Sequence, residues 1–406
     1  MLTRRDAQAR TWGMLDMQVA EPQEASIVSR GIRFDRNEWS GAFGDIGTDF
    51  PLVVGLILAA HLDPASVLIA FGAMQILTAL LYRIPMPAQP LKAMAVIVIS
   101  QKLSGNILYG AGLAIGVVML LLSATGLIDA LARVVPKVVV RGIQFGLGLQ
   151  LSVLALKDYV PTGGHSGYYL AGIAFLLVLV LAGNRRIPPG PFVILLGFAY
   201  AIAFRVAPSE LANGIGFRLP HVHVPTLPDV WTGFLLLALP QIPLSLGNSL
   251  LATKQISDDL FPQRRVTVRK IGFTYAAMNL VNPFISGIPT CHGSGGMAGH
   301  YAFGGRTGGS VVIYGSLYLM LGLFLSGSFG QAILLFPLPV LGVILLFEAV
   351  ALMVLIRDIA DSKSDLLLAL LVGLLAAHVA YGYVVALVVG TAIAYVAKRR
   401  LTGLTR

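Results

Sequence analysis

Apolar runs of 18 or more residues recur along most of this chain, separated by short polar turns. Runs of that length read as membrane-crossing helices rather than as core helices of a soluble domain. Fourteen segments are predicted, near 40–61, 64–83, 90–101, 107–128, 134–156, 167–183, 190–207, 231–253, 267–286, 293–304, 309–327, 332–355, 365–380 and 382–397. The expected fold is an all-α polytopic membrane protein. Residues 1–39 fall outside the pattern: they are polar, carry Arg4, Arg5, Arg10, Arg30, Arg33 and Arg36, and contain no apolar h-region. They are read as a cytoplasmic N-terminal tail, not a cleaved signal peptide.

Two segments depart from the rule. The stretch "IPMPAQPLKAMA" (84–95) places Pro85, Pro87, Pro90, Gln89 and Lys92 where span 3 should begin. Only about 11 apolar residues then precede Gln101-Lys102, roughly 16 Å of helix against a ~30 Å bilayer core. Span 10, after "IPTCHGSGG", is equally short. Both follow Pro- and Gly-rich chain that cannot stay helical. Non-helical backbone at membrane depth persists only where protein or a water-filled cavity covers it. Half-helices 3 and 10 are therefore expected to meet head to head, their N-termini facing one cavity.

The two breaks are related. Ile84-Pro85 recurs as Ile288-Pro289 at an offset of 204, and Met94-Ala95 as Met297-Ala298 at 203. Pro136 and Pro339 open similar segments, and Gly44-Asp45 falls opposite Gly247-Asn248, both again at 203. The offset spans seven segments, an odd number, so the second half enters from the opposite side. That is a 7+7 inverted repeat, the plan of many secondary transporters. The first repeat covers 40–207 and the second 231–398.

Composition agrees. The chain is 56% hydrophobic and 12% charged, with a mean hydropathy of +0.80, where a soluble domain carries about a quarter charged residues. The net charge of +10 needs no nucleic acid, because Lys and Arg at the cytoplasmic ends of membrane helices account for it. Arg83, Arg133, Lys137, Arg185, Arg186, Arg306, Arg357, Lys363 and Lys398 fall in alternate loops, which predicts both termini in the cytoplasm. The single cysteine, Cys291, excludes an internal disulfide. No nucleotide motif is present, and no cofactor is expected.

A cavity facing two helix N-termini suits an anion, because free N–H groups and about half a positive charge lie at each. The glycines of "GSGGMAG", Gly295 and Gly296 among them, let an oxyanion approach the backbone. Lys92 adds a cation, and an intramembrane charge is a functional candidate by default, although its long stem can also snorkel. Thr48, Gln89, Gln241, Asn248, Ser249 and Ser294 can complete the hydrogen bonds. Asp45 and Asp49 either cap an interface, or carry protons or organise the site. Glu348, inside span 12, either pairs with a cation or carries protons. His292 is read as a hydrogen-bonding residue at the broken helix, Cys291 as packing, and "HVH" (221–223) as loop without the further ligands a metal would need.

The segments "PMPAQPLKAMA" and "IPTCHGSGGMAGHYAFGGRTG", with "GAFGDIGTDFP" before and "LPQIPLSLGNSLLA" between, resemble the molybdate transporter family. This is the branch of the sulfate permease superfamily that lacks the cytoplasmic STAS domain. The resemblance implies a core (spans 1–4 and 8–11) that carries the anion past a gate (spans 5–7 and 12–14) in elevator fashion. It implies a substrate seat between the half-helices, lined by helices 1 and 8, with Gln89, Pro90 and Lys92 carried over in the first half and Cys291, His292, Gly293, Gly295, Gly296 and Gly299 in the second, and frequent homodimers through the gate. The residues expected to bind substrate are Asp45, Thr48, Gln89, Lys92, Gln241, Asn248, Ser249, His292, Ser294, Gly295 and Gly296. The function expected is molybdate import across the cytoplasmic (inner) membrane, driven by protons through Asp45, Asp49 or Glu348. There is no enzymatic step and no metal centre, since molybdate binds as an oxyanion. Tungstate and sulfate are alternative cargoes, and an anion channel is the rival of another class.

Overall fold

A computed structural model describes residues 31–181, 189–205, 215–329, 336–379 and 381–403. Six helices among these are long and apolar enough to cross a membrane: α3 (Pro64–Tyr82), α5 (Gly105–Thr125), α7 (Lys137–Tyr159), α8 (Gly164–Leu181), α10 (Leu227–Leu260) and α14 (Leu338–Ile359). Shorter helices accompany them: α1 (Arg36–Gly41), α2 (Ile46–Ala59), α4 (Lys92–Gln101), α6 (Leu127–Val134), α9 (Pro189–Phe204), α11 (Val268–Val281), α12 (Ser294–Ala302), α13 (Gly309–Leu325), α15 (Lys363–His378) and α16 (Gly382–Gly403).

Local chemistry sets the ends of these helices. The Asp63 carboxylate accepts the Ser66 N–H at 2.8 Å and starts α3, with Pro64 in the first turn, where a missing donor costs little. Arg83 and Lys102 stop α3 and α4 in left-handed conformations. The expected first span, 40–61, is two pieces. The chain breaks after α1 because Gly41 and Gly44 lie against the backbone of residues 299–305: a Cβ built on Gly44 would come 2.4 Å from the Gly299 carbonyl carbon. The expected tail also ends earlier than residue 39. α1 is docked through Glu38, which is fully buried and accepts the N–H groups of Arg306 (3.0 Å), Thr307 (2.8 Å) and Ser310 (2.9 Å). It thus satisfies donors at the start of α13 that no intrahelical carbonyl can reach.

The half-helices are short as expected, and each is entered through extended chain. β1 (Ala88–Pro90) and β2 (Thr290–His292) form an antiparallel ladder with Gln89 opposite Cys291. Packing recurs between the halves. α3 closes on α13 through Gly72 and Gly315, while α11 closes on α5 through Gly116. The ladder is pinned the same way at each strand. Gln75 on α3 donates to the Ala88 carbonyl (2.6 Å) and accepts its N–H (2.9 Å). Asn279 on α11 donates to the Thr290 carbonyl (2.6 Å) and accepts its N–H (3.0 Å). Strand-edge groups that would otherwise be unpaired in an apolar interior are satisfied by two buried amides.

Candidate anion site between the half-helices

The ladder places the first turns of α4 and α12 side by side, but the two ends are not equivalent. At α4, the Gln241 side chain accepts the N–H groups of Ala93 (3.0 Å) and Met94 (3.3 Å) and donates to Ser245 Oγ (3.1 Å), which is bonded to the Tyr275 hydroxyl. Gln241 therefore caps the half-helix. At α12, Ser294 donates through Oγ to Asn248 Oδ1 (3.3 Å). Gly295 is exposed, and a Cβ built there would meet nothing within 4 Å. The neighbouring glycines are closed in: a Cβ on Gly293 would strike Gln89 Oε1 at 1.6 Å, and one on Gly296 would strike Asp45 Oδ2 at 2.2 Å. The open approach is thus at the first turn of α12, where N–H groups point at whatever enters.

Charged groups surround that approach. Gln89 Nε2 donates to both oxygens of Asp45, at 2.6 and 2.8 Å. Lys92, 6% exposed, pairs with Glu348 on α14 at 2.5 Å. Lys92 is thus buried beside a carboxylate and does not snorkel to the interface. Asp49, one turn beyond Asp45, is fully buried. No donor reaches its oxygens, and its side-chain neighbour is the Asp45 carboxyl. Neighbouring buried carboxyls hold a proton between them or repel.

Side chains alternate along the ladder. Cys291, opposite Gln89, turns its thiol toward the Ser249 hydroxyl. His292 turns the other way, with Nε2 at 2.7 Å from Thr274 Oγ1 and Nδ1 at 3.3 Å from the Pro87 carbonyl. Its hydrogen-bonding role lies on the scaffold side of the ladder. Asn248 and Ser249 sit in a π-helical stretch of α10, Ser245–Ala252, a local widening often found at functional sites. The Thr48 side chain lies outside the described residues. In the 221–223 loop, His221 contacts Asp63 at 3.0 Å and His223 packs on Tyr109. Partial burial alone would push the Asp63 carboxyl up, but the Ser66 hydroxyl, the Ser66 N–H and His221 hold it below the usual carboxylate range. No group of three metal-ligating side chains occurs among the described residues.

Sequence reasoning missed Glu38, Gln75 and Asn279. The last two left a faint signal, being amides in apolar helices at the offset of 204 already seen for Ile-Pro.

Solved structures define the class. The chain is similar to the transmembrane domain of a cyanobacterium bicarbonate transporter, BicA, with TM-score 0.62 and 18% identity over 87% of this chain and 98% of that one. It is similar also to the murine Solute Carrier 26 family member A9 anion transporter in the inward-facing state, with TM-score 0.66 and 12% identity over 99% of this chain and 73% of that one. Likeness at such identity establishes the fold: this is an integral membrane protein built as those anion transporters are.

Sequence relatives narrow the class. Residues 37–151 and 233–352 match the family described as "Molybdate transporter of MFS superfamily". Molybdate transporter 2 of Arabidopsis thaliana is 35% identical over 81% of this chain and 80% of its own length. Molybdate transporter 1 of the same organism is 33% identical over 81% of each. The chain belongs to the molybdate transporter family. Its relatives are transporters, not enzymes, and every candidate residue from Asp45 to Glu348 falls within the matched stretches.

Proposed function

We propose that the protein is a secondary transporter of the cytoplasmic (inner) membrane that imports molybdate together with protons. One observation carries the reading: the N-termini of α4 and α12 are joined by a ladder, and the first turn of α12 is left open at Gly295. The anion sits at this turn, taking the N–H groups of Ser294, Gly295 and Gly296, with Asn248, Ser249, Gln89 and Lys92 around it. Gln241 and His292 contribute from behind, by holding α4 and the ladder.

Charge balance supports the coupling. Three carboxyls, Asp45, Asp49 and Glu348, surround one ammonium, Lys92. A dianion entering this cluster is held only if protons arrive with it. Moving a dianion into a negative interior costs about 4.6 kcal/mol per 100 mV, and two accompanying protons cancel that term. Asp45 and Asp49 form the loading pair, and Glu348 alternates between Lys92 and a proton as the anion comes and goes.

The architecture behind this is fourteen spans in a 7+7 inverted repeat. The recurrence of α3 on α13 and α11 on α5, and of the Gln75 and Asn279 clamps, favours it. Spans 1–4 and 8–11 make the moving core, spans 5–7 and 12–14 make the gate through which two copies pair, and both termini lie in the cytoplasm. The Lys92–Glu348 pair crosses from core to gate and breaks when the core moves. Uptake by purified protein in liposomes tests the reading: molybdate enters saturably, faster with an inward proton gradient, and tungstate competes. Because a backbone seat fits any tetrahedral dianion, sulfate is the decisive competitor. Displacement of molybdate by an equal concentration of sulfate makes the protein a general oxyanion importer. Flux that neither saturates nor responds to the gradient makes it a channel.

A further inference from the structure

The polar residues around the seat do not end at Asp49. α13 packs on α1 and α3 and meets α2 where the Tyr318 ring lies 6.3 Å from that of Phe50, the residue after Asp49; it carries Ser310, Tyr314 and Tyr318 at intervals of four, so they lie on one face and span about 12 Å along the helix axis. The Tyr314 and Tyr318 hydroxyls are bonded to each other at 2.9 Å, and both lie within electrostatic range of Asp49 and Asp45. The Tyr314 ring meets the ring of His300 on α12 at 5.7 Å between centroids. His300 is fully buried, and neither ring nitrogen has a hydrogen-bond partner. Its backbone neighbour, the Gly41 carbonyl, lies close but outside hydrogen-bond geometry. Ser310 Oγ is likewise buried without a partner. Asp49, at the far end, completes the set. Buried polar groups without protein partners are the places where ordered water sits. Here three such groups flank one hydroxyl pair.

We propose that Ser310, His300, Tyr314 and Tyr318 line a buried, hydrated proton path from Asp49 toward the buried Glu38 and the exposed Arg33 beside it. The path rests on the reading of Asp45 and Asp49 as the loading pair and adds its route. The anion leaves by the opening at Gly295, and the proton leaves along α13. Each hydroxyl and the neutral imidazole accept one proton and release another, so only Asp49 and the receiving water change charge. Asp45 from the start of α2, Lys92 from α4, Cys291 from β2, Tyr314 and Tyr318 from α13 and Glu348 from α14 all face Asp49 electrostatically, and they set when it releases.

The test uses the full chain in liposomes holding a pH-sensitive dye, with molybdate uptake counted in parallel and the molybdate Kd measured on purified protein. Tyr318→Phe and Tyr314→Phe each remove one hydroxyl and keep the ring. The expected result is a fall of tenfold or more in proton-driven uptake rate at saturating molybdate, with the Kd unchanged and the solvent deuterium isotope effect altered. Wild-type proton and molybdate fluxes in both variants overturn the path. Asp49→Asn separates this failure from failure of the underlying reading: unaltered proton coupling there removes the loading pair itself. As a readout independent of transport, the carboxylic C=O infrared band that Asp49→Asn abolishes should shift in Tyr318→Phe, and an unshifted band also overturns the path.

Discussion

Gly295→Ala isolates the anion seat from the fold. A methyl group at Gly295 meets nothing within 4 Å, whereas at Gly293, Gly296 or Gly299 it would sit 1.6 to 2.3 Å from an oxygen of Gln89, Asp45 or Gly44. In an unstrained helical turn, replacing Gly by Ala stabilises a protein by about 0.4–1 kcal/mol, chiefly through the unfolded chain. The same methyl occupies the space an oxyanion must enter to reach the N–H groups of this turn. Hydrogen bonds to a charged group contribute about 1.5–3 kcal/mol each. Losing one weakens binding by about 10- to 150-fold. Calorimetric titration of molybdate into purified protein, paired with thermal unfolding, reads both effects. Gly295→Ala should weaken the Kd by at least about tenfold while Tm holds or rises, and Gly295→Val should weaken it further. A Gly295→Val protein that binds molybdate within about twofold of the parent refutes the seat.

Other predictions rest on separate contacts. Lys92→Ala leaves Glu348 without its ammonium; because Glu348 keeps 21% exposure, the loss should sit near the lower end of the range for a broken buried pair, about 3 kcal/mol. Thermal unfolding of Lys92→Ala beside Lys92→Ala/Glu348→Ala checks it, since the double variant should recover much of the loss. Glu38→Ala strands the N–H groups of Arg306, Thr307 and Ser310 and should lower stability by about 3 kcal/mol, read as a drop in Tm. Gln75→Leu and Asn279→Leu should destabilise to similar extents, because each frees one N–H and one C=O of the ladder. Asp63, held below its ordinary range in the folded protein, contributes stability that is present above its unfolded pKa of about 3.9 and is lost as pH falls below it. Asp63→Asn should therefore unfold at a lower Tm than the parent at pH 7, with the gap closing on acidification.

The half-helices were legible in the sequence because proline leaves a backbone no choice. Pro85, Pro87 and Pro90 rule out one continuous helix through residues 84–90, and α4 begins at Lys92, two residues after the expected start, because Pro90 belongs to the ladder. The roles of Lys92 and Glu348 were narrowed to alternatives for the same reason: a charge inside an apolar run needs a partner. Which partner it finds depends on packing across 256 residues, and no spacing rule reports that. His292 and Cys291 show a second limit. Whether a residue faces the seat is fixed by the register of a ladder whose partner strand lies 202 positions away. Gln241 was read as a ligand because amides suit anions, but an amide also suits a helix N-terminus, and only geometry separates the two. Glu38 was hidden by its surroundings. One carboxylate in an arginine-rich, polar segment looks solvated until the start of α13 is seen resting on it.

The most direct measurement is the position of molybdenum in a structure of the protein with molybdate bound, located by its anomalous scattering. Density is expected at the first turn of α12, with oxygens at hydrogen-bond distance from the N–H groups of Ser294, Gly295 or Gly296 and beside Lys92. Molybdenum seated elsewhere, with that turn empty or occupied by protein atoms, contradicts the proposed seat.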